Sequence, residues 1–217
     1  AGAIASGSLP NLEKLYLNVN TIRDAGMAAL AGAIGSGSLG NLLQLHLEHN
    51  QIRDAGMAAL AGAIASGSLG ALQSLGLGGN KIGDAGVSAL AGALASGSMA
   101  SLERLQRLDL RRNRIGDAGL SALAGTLASG SLAKLTHLYL KENQIGDEGL
   151  KALASAIASG FPPLPPSKNS SIRGKRIILL AFMKNPPRNG PPNPVADKEF
   201  SIPFNFTDCG ARFKCSR

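Results

Sequence analysis

Residues 72–98, LQSLGLGGNKIGDAGVSALAGALASGS, decide the fold. Leu72, Leu75 and Leu77 lead to Asn80 in the pattern L-x-x-L-x-L-x-x-N. Alternation around Leu75 and Leu77 makes a short strand, with leucines on one side and the intervening residues on the other. After Asn80 the chain passes through x-I-x-D-x-G into VSALAGALA, whose apolar residues recur at helical spacing, and closes on Ser-Gly-Ser. Strand, turn, helix and turn make one unit.

That unit repeats along most of the chain. Asn20, Asn50, Asn80, Asn113 and Asn143 follow one another at steps of 30, 30, 33 and 30 residues. Each closes its own leucine triplet, from Leu12/Leu15/Leu17 to Leu135/Leu138/Leu140. The 33-residue step places an insertion around Ser101–Arg104, where the chain enters the fourth strand. Asp24, Asp54, Asp84, Asp117 and Asp147 stand at helix N-cap positions and are expected to accept hydrogen bonds from the first amides of their own helices. Met27, Leu30, Ala31 and Ile34 form one apolar stripe. Gly37, Gly67, Gly97 and Gly130 fall where a left-handed residue ends a helix, and Gly26 and Ala29 are small enough to bring helix close to strand. A single unit cannot cover its leucines. Neighbours must therefore stack into an α/β solenoid, a parallel sheet inside and helices outside, with about five repeats over residues 1–160. The inward asparagine then satisfies buried backbone groups of the adjoining turn, an architectural role whose loss costs roughly 1–3 kcal/mol.

Five in-phase copies of this motif resemble the ribonuclease-inhibitor-like class of leucine-rich repeats, and are similar to the repeats of Ran-type GTPase-activating proteins and NOD-like receptors. The resemblance covers residues 1–160. It implies the curved solenoid, but not one function, because the class includes inhibitors, GTPase activators and innate immune receptors.

Charge is uneven. Residues 1–160 hold 12 Lys+Arg against 11 Asp+Glu, whereas residues 161–217 hold 10 against 3, so +7 of the whole-chain net charge of +8 belongs to the tail. The longest apolar run, Ile177–Met183, is far short of a membrane span. The opening AGAIASGSL is the closing part of a repeat, which leads us to expect an incomplete amino terminus. Both cysteines, Cys209 and Cys215, lie in the tail; the repeats have none, and a reduced, cytoplasmic setting is expected. The sequons at Asn169 and Asn205 weigh weakly the other way.

No chemistry is expected from the repeats. Gly35-Ser36-Gly37-Ser38-Leu39-Gly40 matches G-x-G-x-x-G, but between helix and strand, the reverse of a phosphate cradle. His46 and His49 point to opposite sides of a strand, and His137 is three strands away, so no metal is expected. No nucleophile–base set appears at motif spacing, and neither a catalytic residue nor a cofactor is expected.

The informative surface is the solvent side of the strands. Its columns read Lys14, Gln44, Ser74, Arg107, His137; then Tyr16, His46, Gly76, Asp109, Tyr139; then Asn18, Glu48, Gly78, Arg111, Lys141. Tyr and Arg often dominate interfaces. The candidate protein-binding residues are Tyr16, His46, Arg107, Asp109, Arg111, His137, Tyr139 and Lys141. Gly76, Gly78 and Gly79 are expected to leave a flat central strip without grip. The opposing reading is a solvated face with intrastrand pairing. The expected function is a non-enzymatic scaffold binding another protein on the concave strand face. The alternatives are a Ran-type GTPase-activating regulator and nucleic-acid binding through the basic tail, whose cations are scattered without stacking aromatics.

The tail opens on Phe161-Pro162-Pro163-Leu164-Pro165-Pro166, an extended stretch that resembles EVH1-domain ligands. Further on, Ile177, Leu180, Phe182 and Asn185 fall on the leucine template. They suggest a degenerate sixth strand at 177–185 acting as a cap, with Leu180 at the core position.

Overall fold

The computed structural model describes residue 9, residues 11–96 and 102–159, and the backbone of 178–180. Strands β1 (Lys14–Tyr16), β2 (Gln44–His46), β3 (Ser74–Gly76), β4 (Arg107–Asp109) and β5 (His137–Tyr139) each carry the middle leucine of one triplet. Each is followed by a helix: α1 (Asp24–Ala33), α2 (Asp54–Ala65), α3 (Asp84–Ala95), α4 (Asp117–Ala128) and α5 (Asp147–Ser159). All strands are parallel and lie in chain order, with Leu15, Leu45, Leu75, Leu108 and Leu138 in register. The core lies between sheet and helices, and Leu45, Leu47, Leu72, Leu75, Leu77 and Leu110 have no exposed surface. The stripe Met27, Leu30, Ala31 and Ile34 is buried in it.

Two polar ladders hold the repeats together. In the first, each asparagine reaches back to the preceding repeat. Asn80 Oδ1 accepts from the Ile52 amide at 3.1 Å, while Nδ2 donates to the carbonyls of Leu47 and Leu77 at 3.0 Å. Asn50, Asn113 and Asn143 do the same one step away. Among the described residues, Asn20 donates only within its own repeat, to the carbonyls of Leu17 and Asn18.

The second ladder corrects an expectation. The aspartates do not cap their own helices: α1 to α4 start at Asp24, Asp54, Asp84 and Asp117, and the preceding N-cap residues make no side-chain bond. Each carboxylate caps the helix of the next repeat instead. Asp54 Oδ1 accepts from the Gly83 and Gly86 amides, and Asp84 Oδ1 from those of Gly116 and Gly119. Asp24 and Asp117 follow suit. Gly86 shows why glycine sits two residues after each aspartate. A Cβ there would stand 2.7 Å from Asp54 Oδ1 and 3.1 Å from Met57 Cβ, inside van der Waals contact. The glycine serves helix-to-helix approach rather than the helix-to-strand approach expected of Gly26.

The loops close as expected where they are described. Gly37, Gly67 and Gly130 have φ of 85°, 81° and 80°, while Gly97 lies outside the described residues. The first serine of each Ser-Gly-Ser bonds back to a helix carbonyl, as Ser66 does to Ala63 at 2.7 Å. A second left-handed position, unforeseen in the sequence, precedes every ladder asparagine: Val19, His49, Gly79, Arg112 and Glu142 have φ of 54–69°. For β-branched Val19 this is a strained conformation.

A sixth strand, β6 (Ile178–Leu180), pairs parallel with β5. Its register differs by one residue from the template, because Leu179 rather than Leu180 stands opposite Leu138. A one-residue slip exchanges the two faces of a strand, so template spacing alone does not set this pairing. The proline-rich segment 161–166, Phe182, Asn185 and both cysteines lie outside the described residues.

Candidate strand-face interface

The strand register brings the sequence columns together as read: Lys14, Gln44, Ser74, Arg107 and His137 are successive partners, as are Tyr16, His46, Gly76, Asp109 and Tyr139. Within this face six of the eight candidate residues fall into two linked groups.

The group at β4–β5 centres on Arg111. Its Nε donates to Asp109 Oδ1 at 3.0 Å and its Nη2 to Oδ2 at 2.6 Å, while the Arg111 backbone amide also meets Oδ1 at 3.0 Å. Asp109 is only 7% exposed, so this clamp neutralises a carboxylate that water scarcely reaches. Hydrogen bonding to Asp109 raises the Arg111 pKa above its ordinary value, despite the opposing effect of burial. The charge of Asp109 adds to this, with smaller contributions from Tyr139 and Glu48. The guanidinium carbon then lies 5.0 Å from the Tyr139 ring centroid, within cation–π range. On its other side, Tyr139 stacks with His137 at 6.0 Å between centroids. Lys141 is exposed beside them with no ion pair among the described residues.

The group at β1–β2 joins Tyr16 and His46 edge to face at 5.0 Å, and the Tyr16 hydroxyl donates to Gln44 Oε1 at 2.7 Å. His46 Nδ1 lies 2.8 Å from Glu48 Oε1, so this nitrogen carries the proton toward the carboxylate. Thr136 gives its hydroxyl proton to the Gln106 carbonyl, so its contact with His137 Nδ1 at 2.9 Å makes that nitrogen a donor too.

The glycine strip between the groups is not the open surface expected from its composition. Gly76 and Gly78 are buried. The Glu48 carboxylate lies where a side chain on Gly76 would stand, and Asp109 Oδ1 is 3.1 Å from the place of a Cβ on Gly78. Glu48 Oε2 is buried there with no hydrogen-bond partner. The missing side chains at 76 and 78 make room for carboxylates from neighbouring strands. Glu48 therefore links the two groups, and sequence reading passed over it. The clue was available: small residues in one strand leave space for long residues in the next.

Arg107 is exposed and makes no ion pair among the described residues. It lines a depression of about 580 Å³ with Tyr16, His46, His137 and the amides of Gln44, Gln73 and Gln106. Gln73 and Gln106 come from the residue before the strand columns, which the template treats as turn. Among the described residues, no three His, Cys, Asp or Glu side chains gather to hold a metal, and no helix is long and apolar enough to cross a membrane.

A family model described as Leucine Rich repeat matches residues 8–31, 41–61, 72–91, 104–124 and 131–154, together half of the chain. Among solved structures, the chain is similar to the actin-binding site 2 of leiomodin-1, with a TM-score of 0.51 and 16% identity over 73% of this chain and 86% of that one. An internalin from Listeria monocytogenes matches with a TM-score of 0.35 and 23% identity, over 69% and 47% of the two chains. A complex of latrophilin 3, Unc5D and the leucine-rich-repeat protein FLRT2 matches with a TM-score of 0.34 and 23% identity, over 63% and 41%. The search of curated proteins returned no match. At these identities the structural likeness speaks for fold alone.

Proposed function

The chain belongs to the leucine-rich-repeat family, and from that premise we propose that it is a non-enzymatic scaffold binding another protein on its concave strand face. The observation that carries the proposal is the clamped Arg111. Arginine and tyrosine are common interface anchors, and here each is held by a neighbour before any partner arrives. A side chain already fixed loses less entropy on binding. The helical back offers the opposite. Its exposed positions Ala28, Gly62, Ser88 and Gly125 are too short to grip a partner. We further read the subclass as ribonuclease-inhibitor-like, on helices of 10 to 13 residues in every repeat.

The test is a binding assay with a partner captured by the intact protein. Tyr139→Ala is expected to cost about 2 kcal/mol of affinity or more, and Ala28→Arg nearly nothing. Arg111→Ala alone would strand the buried Asp109 charge and mix stability with binding. It is therefore combined with Asp109→Ala, and the loss of affinity is expected to persist. A partner that binds the wild type and a Tyr139/Arg111 double variant equally well overturns the strand-face reading.

A further inference from the structure

The depression at the leading ends of the strands names a class of partner, an inference that rests on the strand-face reading above. No carboxylate lines it. The two carboxylates of the neighbouring columns are both paired, Asp109 with Arg111 and Glu48 with His46, itself a lining residue. The cations Arg111 and Arg112 are paired, with Asp109 and Glu142, but Arg107 has no counter-ion among the described residues. Lys14, the register partner of Gln44, follows Glu13 directly, and the two add no net charge. The floor is thus a single unpaired guanidinium set among amides. Gln44 has its oxygen occupied by Tyr16, leaving its N–H donors unspent. The side chains of Gln73 and Gln106 make no hydrogen bond among the described residues.

We propose that this depression binds an extended acidic peptide segment, with a carboxylate on Arg107 and peptide groups on the glutamine amides. Glutamine offers a donor and an acceptor, as each peptide group does. Parallel strands lie about 4.8 Å apart, so the path from β1 to β5 is roughly 19 Å, the length of about six extended residues. A nucleic acid is less well matched. It carries a charge on every nucleotide, and one guanidinium neutralises little of that.

The test titrates the ¹⁵N-labelled full chain with the capped peptide Ser-Glu-Glu-Ser-Glu-Glu-Ser, its glutamine analogue and its lysine analogue. Saturable shifts are expected in the side-chain amides of Gln73 and Gln106 and the backbone of Arg107. Binding of the glutamine analogue should be about tenfold weaker, and added salt should weaken the acidic peptide. Arg107→Gln should weaken it about tenfold, whereas Lys151→Gln, on the exposed side of α5, should leave it unchanged. Equal binding of the lysine analogue through the same resonances overturns the acidic assignment while leaving the strand-face reading intact. Tighter binding of a short oligothymidylate through those resonances overturns the choice of a peptide. Shifts confined to the basic residues of 161–217, with Arg107→Gln behaving as wild type, overturn the site itself.

Discussion

At the scale of single residues, the asparagines and aspartates of the repeat do the same work in opposite directions across each boundary. Asn80 is 7% exposed; its removal leaves the Ile52 amide without its acceptor and takes one of two amide donors from each of the Leu47 and Leu77 carbonyls, which keep Asn50 and Asn113. Asn80→Ala is expected to cost roughly 1–3 kcal/mol, the range for one stranded buried group. Asn20 is exposed and, among the described residues, bonds only within its own turn, so Asn20→Ala should cost well under about 1 kcal/mol. Urea melts of the two variants compare them directly, and equal losses would mean that the ladder does not couple repeats. The asparagine role was legible because its spacing and place at the strand end leave few other uses for a buried amide. The aspartate role was misread. A sequence shows that Asp84 begins a helix, but not that the neighbouring helix lies nearer to its carboxylate than its own amides do. The Arg111–Asp109 pair was visible as two charges two residues apart, but the burial of Asp109 was not, because it depends on the absent side chain at Gly78 on the adjacent strand.

At the scale of the element, the helices show which small residues are needed and which are incidental. Gly86 and Gly92 lie six positions apart in α3 and look equivalent in composition. A Cβ on Gly86 would crowd Asp54, Ile82 and Met57, all within 3.1 Å, whereas one on Gly92 meets nothing within 4 Å. Gly92→Ala should therefore gain helix propensity at no packing cost, stabilising the protein by roughly 0.5–1 kcal/mol. Gly86→Ala should push α3 away from α2 and destabilise by about 1–3 kcal/mol, as other overpacked sites do. Thermal melts that moved in the same direction for both would show that helix spacing is not set by the glycine. Strand, helix and turn order was legible in the sequence because five copies repeat one apolar period. The sixth strand was legible only as a candidate. Its apolar run of Ile177–Leu180 fits the leucine template in more than one register, and pairing with β5 chooses Leu179.

At the scale of the whole molecule, the first described repeat has a described neighbour on one side, whereas the inner repeats have one on both. In that first described repeat Leu15, Leu17 and Ile22 are only partly buried, whereas Leu45, Leu47 and Ile52 in the next repeat are fully so. At the other end β6 lies along β5, and we propose that the tail closes the stack there. Deleting residues 161–217 would expose the β5 edge and the leucines beside it. Loss of cover equivalent to one leucine, roughly 1.5–3 kcal/mol, corresponds to a fall in melting temperature of roughly 3–12 °C. The bared edge should also pair with other copies, giving association that grows with protein concentration in sedimentation experiments. Truncation also removes most of the positive charge, which by itself favours association. Leu179→Asp in the full chain separates the two causes, since it spoils the position opposite Leu138 while keeping the basic tail. If edge cover matters, this variant melts lower and associates like the truncated protein. A truncated chain that stays monomeric and melts unchanged would leave the sixth strand without a part in the stability of the stack.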